Sequence, residues 1–149
     1  MTVSEPGQFP LPETVLPHRP PFLFLDRIVE MTPTRVVGVR TFRPEEDFFR
    51  GHFPGQPIVP GVILIEGLAQ TMAYYALQHR KASRVFLVGI DRARFRGFVE
   101  PGVEVTYTVD VGEERFGTLE GKGKVAAGTR RLADADVRGY AGEPGGIIG

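Results

Sequence analysis

Residues 61–79 read GVILIEGLAQTMAYYALQH, and this run constrains the chain more than any other. Pro60 precedes it, and a proline near a helix's first turn costs nothing because that amide has no intrahelical acceptor. Val62, Ile63, Leu64, Ile65, Leu68, Ala69, Met72, Ala73, Ala76 and Leu77 point to nearly every side of a 3.6-residue helix. A helix apolar all round is buried, so the remainder of the chain must be built to cover it. Within the run, Glu66 is the only charged residue before His79.

What surrounds that helix reads as strands. Residues 26–31 and 35–42 (RVVGVRTF) are β-branched segments closed by Thr32-Pro33 and Arg43-Pro44. After the helix come 85–90 (VFLVGI), with a possible extension through 93–95, and 104–111 (EVTYTVDV), which alternates cleanly. Residues 119–127 and 131–140 complete the set, separated by Ala127-Gly128-Thr129. Several strands around one long helix predict an α+β domain whose antiparallel sheet covers the helix. At 149 residues, without a low-complexity linker or repeat, the chain is one domain. Its ordered core is expected at about 11–140, with flexible termini at 1–10 and 141–149.

Composition removes several classes of function. Lys plus Arg and Asp plus Glu are 18 each, which argues against a domain-wide nucleic-acid footprint and leaves room only for a local basic patch. The absence of cysteine rules out disulfides, thiolate metal sites and a cysteine nucleophile. The longest apolar stretch, 59–65, falls far short of the roughly 20 residues of a membrane span, and residues 1–12 carry no targeting pattern. A cytoplasmic protein is expected. Ser4 and Ser83 are the only serines, and neither stands in a nucleophile turn. No phosphate-binding Gly-Lys-Ser/Thr is present, and no cluster of three or four metal ligands gathers near the helix.

The ionisable residues that remain are few. His79 ends the helix beside Arg80 and Lys81, where a cation favours the dipole, and reads as a solvated cap. His18, in LPHRPPF, reads as structural, packing or bonding a backbone carbonyl. His52 lies in GHFPGQPIVPG, whose three prolines and three glycines impose an irregular path of the kind that displays functional groups. A loop histidine satisfied by a backbone contact is the plainer alternative. Glu66 is costly to bury unless paired or protonated, and burial raises a carboxyl pKa so that the acid can donate a proton. A structural partner such as Gln70, one turn on, would also account for it. Together the two residues point to acid/base chemistry beside a helix N-terminus whose free amides can polarise an oxygen.

At these residues the sequence resembles a known family. GHFPGQPIVPGVILIEGLAQ (51–70) is similar to the signature of FabZ-type 3-hydroxyacyl-acyl carrier protein dehydratases. LPHRPPFLFLDRI (16–28) resembles that family's opening segment, and GIDRARFRGFVEPG (89–102) its later strand and turn. The resemblance spans about residues 11–140. It implies a hotdog fold, a curved antiparallel sheet wrapped around one long helix, and dimers, sometimes as a trimer of dimers, with each site shared between subunits. It implies His52 as the base, Glu66 as the acid and the Gly61 amide as the oxygen-holding group, with no metal or cofactor beyond the carrier's phosphopantetheine arm. Val62, Phe53, Phe95 and Phe98 would complete the substrate site, although a core role is the default for apolar residues in 86–98. Arg92, Arg94 and Arg96 would form a basic patch for acyl carrier protein, or simply a solvated strand face. Two residues depart from the family pattern. Gly67 stands where Ala is usual, a change that loosens a helix by roughly 1 kcal/mol. Val103 stands where Asp is common. The related FabA-type isomerases usually carry Asp at the acid position, so Glu66 favours simple dehydration. A hotdog thioesterase and a non-catalytic carrier-binding subunit are the other readings.

Overall fold

The computed structural model describes residues 8–79, 81–82 and 84–143. Ser4, Ser83, Arg80 and most of the expected flexible termini fall outside these residues. A one-turn helix α1 (Pro12–Val15) leads to strands β1 (Arg27–Thr32) and β2 (Arg35–Thr41). A 3-10 turn (Asp47–Arg50) and the Pro/Gly loop then enter helix α2 (Gly61–His79). Strands β3 (Val85–Phe95), β4 (Glu104–Val111), β5 (Thr118–Ala127) and β6 (Arg130–Ala141) follow. The six strands form one antiparallel sheet in the order β1-β2-β4-β5-β6-β3.

This is the hotdog fold. The sheet covers α2, whose side chains from Leu64 to Ala76 are all buried except that of Glu66. Leu64, Leu68, Met72, Tyr74 and Tyr75 are essentially inaccessible. Burial of each leucine or methionine contributes roughly 1.5–3 kcal/mol. Burial alternates with a period of two along β4 and most of β5 and β6, as expected for a sheet with one face on a core. The expected segments 85–90 and 93–95 are one eleven-residue strand, bulged between Leu87 and Gly89 and again between Asp91 and Arg94. β3 ends the sheet and pairs with β6 alone among the described strands, so no described strand lies along its outer edge.

Two irregular segments are tied down in ways local patterning does not reveal. The part of the lead-in that is described is held: Phe9 packs on the core, and the Tyr74 hydroxyl donates to Pro10 O at 2.7 Å. Before the 3-10 turn, the buried Arg40 guanidinium pairs with Asp26 at 2.9 Å and with Glu46, and lies over the Phe42 ring. No helix among the described residues is long and apolar enough to cross a membrane.

Candidate active site

The loop carrying His52 folds back on itself. Phe53 and Gln56 exchange backbone bonds at 2.9 and 2.8 Å, and Ile58 N–H returns to His52 O at 3.1 Å. Val59 N–H then joins Val99 O at 2.9 Å, which anchors the loop to the segment after β3. The His52 ring lies 4.0 Å from the Phe53 ring, stacked, with Nδ1 2.9 Å from Ile58 O. A carbonyl can only accept, so Nδ1 carries the proton and Nε2 presents a lone pair. The backbone contact therefore does more than satisfy the ring: it selects the tautomer able to act as a base.

Next to this ring, α2 begins. Ile63 and Leu64 N–H groups turn back to Pro60 O, whereas Gly61 and Val62 N–H have no partner among the described residues. A Cβ on Gly61 would lie 2.6 Å from the Phe95 ring, so only glycine lets the helix start this close to β3. His52, Phe53, Gly61, Val62, Phe95 and Phe98 share one cavity of about 400 Å³. All of the expected substrate-binding residues are thus brought together with the histidine. Val62 and Phe98 are 70% and 74% exposed, so the cavity wall faces outward.

Glu66 lies elsewhere on the single chain. It lines a second, small cavity with His18, Gln70 and Leu87. Burial raises its carboxyl above the usual range, and a hydrogen bond from Gln70 partly offsets this. The Gln70 amide is fully committed. Its oxygen accepts from Phe24 N–H at 2.8 Å, and its nitrogen donates to Phe22 O and to Glu66 Oε2, both at 3.1 Å. Because Oε2 receives a donor, a protonated Glu66 favours its proton on Oε1, which has no partner among the described residues.

Comparison with known proteins now becomes decisive. Residues 16–136 match the FabA-like domain. A 3-hydroxyacyl-acyl-carrier-protein dehydratase FabZ of Syntrophobacter fumaroxidans is 37% identical over 125 residues, covering 82% of this chain and 85% of that protein. The FabZ of Anaeromyxobacter sp. (strain K) is 40% identical over 130 residues, with 83% of each chain covered. The chain belongs to the FabA-like family. Within it, this is a FabZ-type dehydratase. Among solved structures, the dehydratase heterocomplex ApeI:P from Xenorhabdus doucetiae superposes with a TM-score of 0.77 at 16% identity, covering 95% of this chain and 97% of that one. A hypothetical thioesterase from Streptococcus pneumoniae TIGR4 superposes at 0.60 with 10% identity, over 77% of this chain and 84% of that one. At such identities these two speak for the fold alone.

Other expected residues of the FabZ-type chain fare differently. Arg92 pairs with Asp136 at 2.6 Å, and Arg96 grips Asp134 at 2.7 and 3.1 Å, both across to β6. Only Arg94 of the three lacks a carboxylate partner among the described residues; its guanidinium reaches Ala93 O. The triple-arginine patch is therefore largely neutralised on its own sheet. Of the two structural options for His18, the backbone bond is not made among the described residues; the ring packs facing Glu66, with Nε2 3.9 Å from Oε2. Its proline-rich surroundings gave no sign of this, because the contact spans the core. His79 is exposed and stacks on Tyr75.

The unusual Gly67 has a steric cause. A Cβ there would lie 2.2–2.4 Å from Tyr107 ring and hydroxyl atoms. Tyr107 is wholly buried on β4, its hydroxyl has no partner among the described residues, and burial holds its phenol far above the ordinary range. What resembled a loosened helix is a close contact between α2 and the sheet directly behind Glu66. Among the described residues no three His, Asp or Glu side chains gather where they could hold a metal ion.

Proposed function

We propose that this chain removes water from a 3-hydroxyacyl thioester carried on acyl carrier protein, leaving a trans-2-enoyl thioester for acyl-chain synthesis. One observation supports the assignment of roles: Ile58 O holds His52 Nδ1, which leaves Nε2 free beside the unpaired amides that open α2, inside an apolar cavity. Nε2 takes the proton from the carbon next to the thioester carbonyl. That carbon acid is weak, so the developing enolate oxygen needs donors, which Gly61 N–H and its neighbour supply. The C3–O bond breaks as Glu66 gives its proton to the departing hydroxyl, and water leaves. Phe53, Val62, Phe95 and Phe98 pack the acyl chain. The acyl group arrives on the carrier's phosphopantetheine arm, no metal or further cofactor is required, and Arg94 is the first candidate for carrier contact.

On one chain the base and the acid line separate cavities. We therefore place the complete site between two copies joined along the open β3 edge, with His52 from one subunit and Glu66 from the other. Leu87, Val88, Ile90 and Phe95 are exposed on that strand, an apolar edge of the kind that pairing covers. Assembly of such dimers into a trimer, and a cytoplasmic location, belong to the same reading. The test is mass-resolved turnover of purified protein with 3-hydroxyacyl-acyl carrier proteins of several chain lengths. A product lighter by one water and still thioester-bound is expected. Release of free acid would identify a thioesterase, and unchanged substrate would overturn the dehydratase assignment for the chain lengths tried.

A further inference from the structure

Gln70 restrains only part of the Glu66 carboxyl. Oε2 receives the Gln70 amide, while His18 Nε2 stands 3.9 Å away, too far for a direct hydrogen bond. The cavity that both residues line measures about 30 Å³, roughly the volume of one water in the liquid. His18 Nδ1 is buried and has no partner among the described residues. A buried N–H without an acceptor is costlier than a buried lone pair. The neutral ring therefore keeps its proton on Nε2, the nitrogen that faces Glu66.

We propose that His18 is a positioning residue for Glu66, acting through one water that accepts from His18 Nε2–H and donates to Glu66 Oε2. With Gln70 and this water both donating to Oε2, the acidic proton is confined to Oε1 and aimed at the leaving hydroxyl. Once that proton has gone, the same two donors stabilise the carboxylate. The inference rests on Glu66 being the acid.

Other groups packed on Glu66 do not supply this function. Leu87 of β3 and Gly139 of β6 are not titratable, Gln70 is on the same helix, and Tyr107 of β4, whose phenol senses the Glu66 charge, lies behind the helix backbone. Burial lowers the His18 pKa, which keeps the ring neutral.

His18→Phe retains a ring of similar shape but removes the donor. In the full chain with an acyl-carrier substrate, it should lower kcat about tenfold to a hundredfold, the scale of a misaligned catalytic group, with KM little changed. The alkaline limb of the kcat profile, where Glu66 loses its proton, should move to higher pH, because a donor that favours the carboxylate is gone. His18→Gln, which can still donate to the water, should recover most of the rate. In a Glu66→Gln background, His18→Phe should cost nothing more. A His18→Phe enzyme with wild-type kcat and pH profile would overturn the proposal, as would an undiminished additional loss on top of Glu66→Gln. If the phenylalanine prevents folding, His18→Ala serves for the kcat and rescue comparison, and an unchanged kcat there is equally fatal. A dead Glu66→Gln with a fully active His18→Phe removes only this inference. An active Glu66→Gln removes the acid assignment and this inference with it.

Discussion

The hydrogen bond that orients His52 is donated by its Nδ1 to Ile58 O, 6 residues along the same loop, and its stacking partner is the adjacent Phe53. Glu66 is supported by a side chain, Gln70, whose other bonds reach 46 and 48 residues back along the chain to Phe24 and Phe22. His52 therefore sits in a loop stiffened by proline and by its own backbone bonds, tied outward at Val59 to Val99, and opens on an apolar cavity. Glu66, the proposed acid, sits on a buried helix and depends on a polar network closed over it by residues 16–24. A loop of the first kind can be read from local sequence. A network of the second kind exists only once the chain has folded.

The largest effect tests whether the two halves work together across subunits. His52→Ala and Glu66→Gln should each lower kcat by about 10²–10⁴, the usual contribution of a positioned acid or base, with fold and assembly retained. In a remixed dimer of the two variants, one site regains both intact groups, so equal mixing should restore roughly a quarter of wild-type turnover. No recovery, with subunit exchange verified by native mass spectrometry, would place base and acid on the same chain.

A second, smaller effect isolates the acid half. Gln70→Leu leaves Phe24 N–H and Phe22 C=O without their partner and frees Oε2. Each buried group left unpaired costs about 1–3 kcal/mol, so the denaturation midpoint should fall clearly, and kcat should fall with it. Proteolysis should then open residues 16–24 before the His52 loop. A loop that loosens first would show that the base is not independently held.

The difference between the halves also explains what the sequence discloses. The bounds of α2 are legible because Pro60 marks its start and apolar residues occupy every face, and β4 is legible from strict alternation. Gln70 could be named as a partner for Glu66 because the helical period brings position i+4 alongside. His18 could not, since its meeting with Glu66 depends on how residues 16–24 cross the helix. The pairing of Arg92 on β3 and Arg96 just beyond it was hidden because their partners, Asp136 and Asp134, are contributed by β6, about 40 residues later. Gly67 stood out locally, but its reason, Tyr107, lies on another element.

That last contact yields a prediction of intermediate size. Gly67→Ala forces a methyl group into the Tyr107 ring and should destabilise the protein by about 1–3 kcal/mol, the usual cost of overpacking. Tyr107→Leu should relieve that penalty. The double variant should then be more stable than the sum of the singles implies, by at least about 0.5 kcal/mol. Additive effects in chemical denaturation would mean that the helix shifts freely over β4 and that the acid is not braced from behind.

The smallest effect concerns the charge of Glu66 itself. Its folded pKa is raised above an ordinary value of 4.5, chiefly because the carboxyl is partly withdrawn from water. The unfolded chain therefore ionises first. The stability associated with the neutral carboxyl is complete below that ordinary value and is lost as pH rises through the folded one. Glutamine has no proton to lose. The midpoint of Glu66→Gln relative to wild type should therefore increase from about pH 4 upward and level off once native Glu66 is ionised. A difference that stays constant across that range would mean that the carboxyl is as well solvated in the native protein as in the unfolded chain. The closed, polar half-site would then be as open as the one around His52, and the contrast between the two would fail.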